Sequence, residues 1–186
     1  HAVDNPDTIR YLRDAVKTFV LTYPDLTGIG VTAGEHFPKG DHYDREAWLW
    51  QTYGLGILDA KAAQPERCVE FIHRFWNTGF ENIMRHWSEY PDPFSFSFKY
   101  ARARLYSSPT PPFAAEHLRT LKPLGLKSWW NLRNDDIFVH RWGDPDYVRA
   151  FLTHDDPDVT AGYYVGSDGY VWGREFVSRS PGAPRE

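Results

Sequence analysis

The chain has 186 residues, 41% hydrophobic and 17% aromatic, enough to bury one sizeable core. A formal net charge of −4 with no basic block argues against a nucleic-acid partner, and no apolar run reaches membrane-spanning length. The single cysteine, Cys68, excludes an internal disulfide and fits a cytoplasmic, periplasmic or secreted setting equally.

Asn5-Pro6-Asp7-Thr8 reads as a helix start, with Pro6 where a missing N–H costs nothing. Ile9, Leu12, Val16, Phe19 and Val20 then share one face at helical spacing, and Tyr23-Pro24-Asp25 closes the helix. Thr27–Phe37 follows, where Ile29 and Val31 alternate with small residues as in a strand buried on both faces of a parallel sheet. It breaks into Ala33-Gly34-Glu35-His36, which places a carboxylate and an imidazole just past the strand's carboxyl end. Glu35 alone would also serve as a helix cap or the partner of a lysine. The loop Pro38–Arg45 carries Asp41, His42 and Asp44, without the tight spacing of metal ligands.

Glu46–Ala63 reads as a helix with Trp48, Tyr53 and Ile57 towards the core. A second strand, Arg67–Trp76, contains Cys68 as an inert buried thiol and ends near His73 and Arg74. Asn77–Tyr90 is amphipathic through Phe80, Ile83, Met84 and Trp87, and Phe94–Lys99 alternates as a third strand before Tyr100, Arg102 and Arg104. After the Pro-rich loop Ser107–Phe113 come a short helix, Ala114–Leu121, and a fourth strand, Leu126–Arg133. That strand ends in Asn131, Arg133, Asn134, Asp135 and Asp136. A helix opened by Asp144-Pro145 runs through Tyr147, Val148, Phe151 and Leu152. The last strand, Val159–Val165, leads into Gly166-Ser167-Asp168-Gly169-Tyr170 and Trp172-Gly173-Arg174-Glu175.

Strand, loop, helix, strand in repetition defines a parallel α/β fold, and polar clusters after each strand point to one shared pocket. About five units are fewer than the eight of a closed barrel. That leaves an incomplete barrel or an open sheet; the expected fold is the first, a partial (β/α)8 TIM barrel over residues 1–178, followed by a Pro/Ser/Arg tail, 179–186. A chain beginning at His1 on the approach to a helix is expected to be a fragment, its partner being the upstream half of the same barrel.

Cleavage of a glycosidic bond takes one carboxylic acid to protonate the leaving oxygen and a second carboxylate to activate water or attack. Glu35, Asp135, Asp136, Asp168 and Glu175 are the candidates at strand ends. Glu35 and Asp135 are expected to face each other across a barrel mouth, where a gap of roughly 6.5–9.5 Å suits inversion. Asn134-Asp135-Asp136 also has the composition of a turn or cap. Arg74, Lys99, Arg102, Arg104 and Arg133 form a cationic set suited to a carboxylated substrate, or to neutralising the acids of the same mouth. The chain's 8 Trp, 11 Tyr and 12 Phe include rings that stack on sugars, although such rings more often fill cores. Tyr170 and Trp172 would make a sugar platform or a lid. No phosphate loop, dinucleotide fingerprint, HExxH or nucleophile elbow occurs.

In their order along the chain, these strand-end residues resemble the second half of the catalytic barrel of family 67 α-glucuronidases. The resemblance implies inverting, metal-independent and cofactor-free removal of a glucuronic acid from plant oligosaccharides. TAGEHFPKG (Thr32–Gly40) is similar to the family's acid-bearing segment, which makes Glu35 the general acid. FIHRFW (Phe71–Trp76) is similar to the strand whose Arg contacts substrate, the place of Arg74. SFKYARARLYSSPTPPF (Ser97–Phe113) matches at Lys99 but carries Arg104 or its neighbours where the family has a catalytic Asp. WWNLRNDD (Trp129–Asp136) resembles the next strand, with Asp135 nearest the base-side carboxylate. The resemblance implies substrate contact by Arg74 and a matching lysine at Lys99; the strand-end residues themselves add His36, Trp76, Arg104, Trp130, Arg133, Asp168 and Trp172 as expected substrate contacts. The alternative is a carbohydrate-binding barrel that does not cleave.

Overall fold

A computed structural model describes residues 4–32, 44–75, 78–98, 109–110, 114–132, 144–153 and 156–165. Its elements alternate: α1 (Pro6–Thr22), β1 (Gly28–Val31), α2 (Arg45–Leu49), α3 (Leu55–Ala63), β2 (Glu70–Arg74), α4 (Phe80–Trp87), β3 (Phe94–Phe98), α5 (Ala114–Leu121), β4 (Lys127–Leu132), α6 (Pro145–Thr153) and β5 (Thr160–Val165). β1 pairs with β2, β2 with β3, and β4 with β5, each in parallel. Contacts divide the chain into two units, His1–Ser97 and Phe98–Glu186.

In the first unit, the Asn5 side chain accepts the N–H of Asp7 at 2.8 Å and caps α1, with Pro6 at its first position. Val16 and Val20 are buried, and α3 approaches closely at Gly56, where a Cβ would lie 2.7 Å from the carbonyl oxygen of Arg13. Arg13 and Asp59 join the two helices by a bidentate pair at 2.6 and 2.7 Å. Phe19, expected on the buried face, is 46% exposed and packs on the ring of Tyr23, 5.0 Å away. At the end of α1 the Arg67 guanidinium donates to the carbonyls of Val20, Tyr23, Pro24 and Leu26, pairing groups that a helix leaves open.

The helix expected over Glu46–Ala63 is interrupted by a π-helical turn, Trp50–Gly54. Gly54 makes room for the Trp50 indole, since a Cβ there would lie 2.6 Å from Cε3 of that ring. The ring meets Trp87 edge-on at 5.1 Å. Thr52 Oγ1 donates to the carbonyls of Trp48 and Leu49. Ile57 is fully buried, whereas Trp48 and Tyr53 are half-buried.

Strand β2 starts at Glu70, later than expected, because Val69 N–H is taken by the Asp92 carboxylate at 2.8 Å. Asp92 is held in turn by Lys61 Nζ at 2.7 and 2.8 Å. Cys68 consequently lies before the strand and is exposed, which corrects its reading as a core thiol. The core of this unit is aromatic: Phe71 stacks on Trp87 at 3.9 Å, with Tyr90 and Phe94 around them. Fully burying a side chain such as Phe71 contributes about 1.5–3 kcal/mol. β1, expected to be covered on both faces, is half-buried with Gly30 exposed, as befits a strand ending the sheet order.

In the second unit, α5 is followed by a 3₁₀ turn, Lys122–Leu124, and by Gly125 at φ 64°, where glycine adopts the left-handed conformation freely. His117 stacks on Phe98 at 4.6 Å and shares a 3.0 Å hydrogen bond with Ser128. From α6, Tyr147 and Phe151 are buried, while Leu152, expected beside them, is 42% exposed.

Candidate functional site

Alternation assigns each strand residue to a face. In the first unit Phe71 and His73 point to the helices, where their rings meet Trp87. Glu70, Ile72 and Arg74 therefore occupy the opposite face. Register adds Gly28 and Gly30 from β1, and Ser95 and Ser97 from β3. Ser95 Oγ donates to Glu70 Oε1 at 2.6 Å on that face. Arg74 is the last residue of β2, half-buried, at the carboxyl edge where parallel α/β folds place their chemistry. Thr32, just past β1, continues the row of Gly28 and Gly30. Its Oγ1 is buried without a hydrogen-bond partner among the described residues.

Beneath Arg74 lies a pair that the sequence reading did not single out. His73 Nε2 and Glu46 Oε2 share a 2.8 Å hydrogen bond, and both side chains are 0% exposed. Their other polar atoms, His73 Nδ1 and Glu46 Oε1, lack hydrogen-bond partners among the described residues. Total burial removes both from contact with substrate. The pair instead ties the end of β2 to the start of α2. The available signal was a Glu in the first turn of a helix and a His at an inward strand position.

Asp44 is a helix cap. Its Oδ1 accepts the N–H groups of Glu46 and Ala47 at 3.0 Å, and His86 lies 3.0 Å from its Oδ2. Burial would raise its pKa, but the Ala47 N–H, His86 and Asn82 outweigh that and hold it below the ordinary carboxylate value. Among the described residues, no three His, Cys, Asp or Glu side chains are grouped to hold a metal. No helix among them is long and apolar enough to cross a membrane. A groove of about 570 Å³ between α1 and α3 is lined by Ile9, Gln51, Leu55 and the already paired Arg13 and Asp59.

In the second unit Trp130 does not fit the stacking role expected of it. It is 5% exposed, its Nε1 donates to Thr160 Oγ1 at 2.8 Å, and its ring meets Phe98 and His117 edge-on. It faces α5 and leaves no open ring surface for a sugar. Its neighbour Trp129 lies on the other face and is half-buried. Glu35, His36, Trp76, Lys99, Arg104, Arg133, Asp135, Asp136, Asp168 and Trp172 fall outside the described residues, as do Asp41 and His42.

No family model matches the chain, and no curated protein matches it. Among solved structures it is similar to a GH138 enzyme targeting pectin rhamnogalacturonan II, with a TM-score of 0.71 and 20% sequence identity. The likeness covers 90% of this chain and 20% of that one, so the chain spans about a fifth of that protein's length. What the two share is the α/β fold.

Proposed function

We propose that the chain forms part of the catalytic (β/α)8 barrel of a glycoside hydrolase acting on a uronic-acid-bearing plant polysaccharide. The likeness to the GH138 structure carries this reading. Parallel strand pairs, their strands joined through helices, agree with a barrel. In this reading Glu35 protonates the glycosidic oxygen, and Asp135, with Asp136, activates water on the other side of the sugar. Arg74, Lys99 and Arg133 hold the substrate carboxylate, a planar guanidinium matching it by two parallel hydrogen bonds. His36, Arg104 and Asp168 complete the polar contacts, while Trp76 and Trp172 stack on sugar rings. The chemistry needs neither metal nor cofactor.

The substrate is either a pectin fragment, as the structural neighbour favours, or a glucuronoxylo-oligosaccharide, as the strand-end residues favour. The full-length parent protein and its Glu35→Gln variant should be incubated with rhamnogalacturonan II fragments and with 4-O-methylglucuronoxylo-oligosaccharides, following released uronic acid by chromatography. The expected result is release by the parent alone, with binding retained in the variant. Equal release by both refutes Glu35 as the acid. Tight binding with no release by either favours a binding barrel, a reading that Arg104 in the place of the family's catalytic Asp supports.

A further inference from the structure

We infer that Trp129 is the residue of β4 on which a pyranose ring of the substrate stacks. This rests on the carbohydrate reading above and adds a contact that the sequence analysis expected of its neighbour. Four observations carry it.

The first is the face. Ser128 and Trp130 meet His117 of α5, and Tyr163, paired with Trp130, meets Phe151 of α6. The helices of this unit thus cover that side of β4 and β5. Trp129 and Asn131, with Gly162 and Tyr164 opposite them in register, lie on the other side. On that side Asn131 is 3% exposed, whereas Trp129 is half-buried.

The second is the space kept for the indole. Ser128 pairs with Thr160 but Trp129 pairs with Gly162, so β5 carries one extra residue at this point. Such a bulge resets the alternation and re-aims the side chains beyond it. It brings the glycine, rather than a side chain, opposite Trp129. A Cβ at Gly162 would lie 2.5 Å from Cζ3 and 2.9 Å from Cε3 of the indole, so the ring rests on bare backbone.

The third is exposure. Trp130 is 5% exposed and enclosed by other rings, whereas Trp129 remains half-buried. Part of a large, rigid aromatic surface stays open to solvent on a supported strand. The apolar face of a pyranose covers such a surface at little conformational cost, since the indole has only two side-chain torsions to fix.

The fourth is the polar tip. Among the described residues Trp129 Nε1 is buried without a hydrogen-bond partner, whereas Trp130 Nε1 has Thr160. A Phe would fill the same position with less aromatic area for a sugar.

The test is calorimetric titration of the chain with rhamnogalacturonan II fragments and, separately, with 4-O-methylglucuronoxylo-oligosaccharides, using wild type, Trp129→Phe and Trp129→Ala. Circular dichroism and urea midpoints check that each variant is folded. Stacking of aromatic surfaces predicts that Trp129→Ala weakens Kd by roughly tenfold and Trp129→Phe by a smaller factor. Sugar-induced quenching of tryptophan fluorescence should shrink in Trp129→Phe, a variant expected to fold because it removes the unpaired N–H. Wild-type affinity in a folded Trp129→Phe, with quenching unchanged, overturns the assignment and leaves the carbohydrate reading intact. Absence of binding by the wild type to either oligosaccharide overturns both.

Discussion

The buried pair under Arg74 offers the sharpest test of how the first unit is held together. Replacing His73 with Phe keeps an aromatic ring among Trp87, Phe94 and Phe96 but removes the partner of Glu46. A typical hydrogen bond contributes about 0.5–1.5 kcal/mol net, and leaving its partner buried and unpaired costs more. Because Glu46 is 0% exposed, its carboxyl group is left buried without a partner, and the loss should be about 1–3 kcal/mol. That is a sizeable part of the roughly 5–15 kcal/mol that holds a domain folded. The double variant Glu46→Leu/His73→Phe removes both polar groups and should recover most of the loss. Urea unfolding of wild type, both single variants and the double variant, with the slope checked for constancy, gives the coupling directly. A single-variant loss below about 1 kcal/mol, or a double variant no more stable than His73→Phe, would refute the argument, because either outcome means water or another group reaches Glu46.

Two further expectations concern the second unit. Burial pushes the His117 imidazole down from 6.5 to about 4, so the unfolded chain binds a proton that the folded one refuses between those values. Stability is therefore full above pH 6.5 and falls as the pH drops towards 4, by about 3 kcal/mol in all. Urea midpoints measured across that range should slope accordingly, and the slope should flatten in His117→Phe. A pH-independent midpoint in the wild type would contradict the burial. Gly162→Ala should cost about 1–3 kcal/mol by driving a methyl into the Trp129 indole, read from thermal unfolding. An unchanged midpoint would mean that the ring swings away freely.

Element type was legible wherever one periodicity dominated. Ala114–Leu121 is helical at the expected bounds, and the alternating FSFSF of β3 is a strand. The failures came where a tertiary contact overrode a local pattern. The π turn within Glu46–Ala63 breaks no helical spacing in the sequence; it accompanies Gly54, which makes room for the Trp50 indole, and the contact of that indole with Trp87 on another helix. Cys68 sits in an apolar run, but the Asp92 carboxylate withdraws its neighbour Val69 from the ladder. The choice between Trp129 and Trp130 was beyond composition altogether. In a strand, one residue of register decides which indole meets the helices, and here the contacts of Ser128 and Trp130 with His117 fix it. Arg74, by contrast, could be placed at a strand's carboxyl end from its position after an apolar run.

The exposed thiol of Cys68 has a practical consequence. It is the chain's single cysteine and stands at the amino end of β2, six residues before Arg74. An extended chain puts those two positions roughly 20 Å apart. A fluorophore or spin label attached there needs no engineered handle and sits at the opposite end of the strand from the residues proposed to meet the substrate. It falls within the range over which energy transfer to a labelled oligosaccharide reports distance, so sugar binding could be followed in the otherwise unaltered protein.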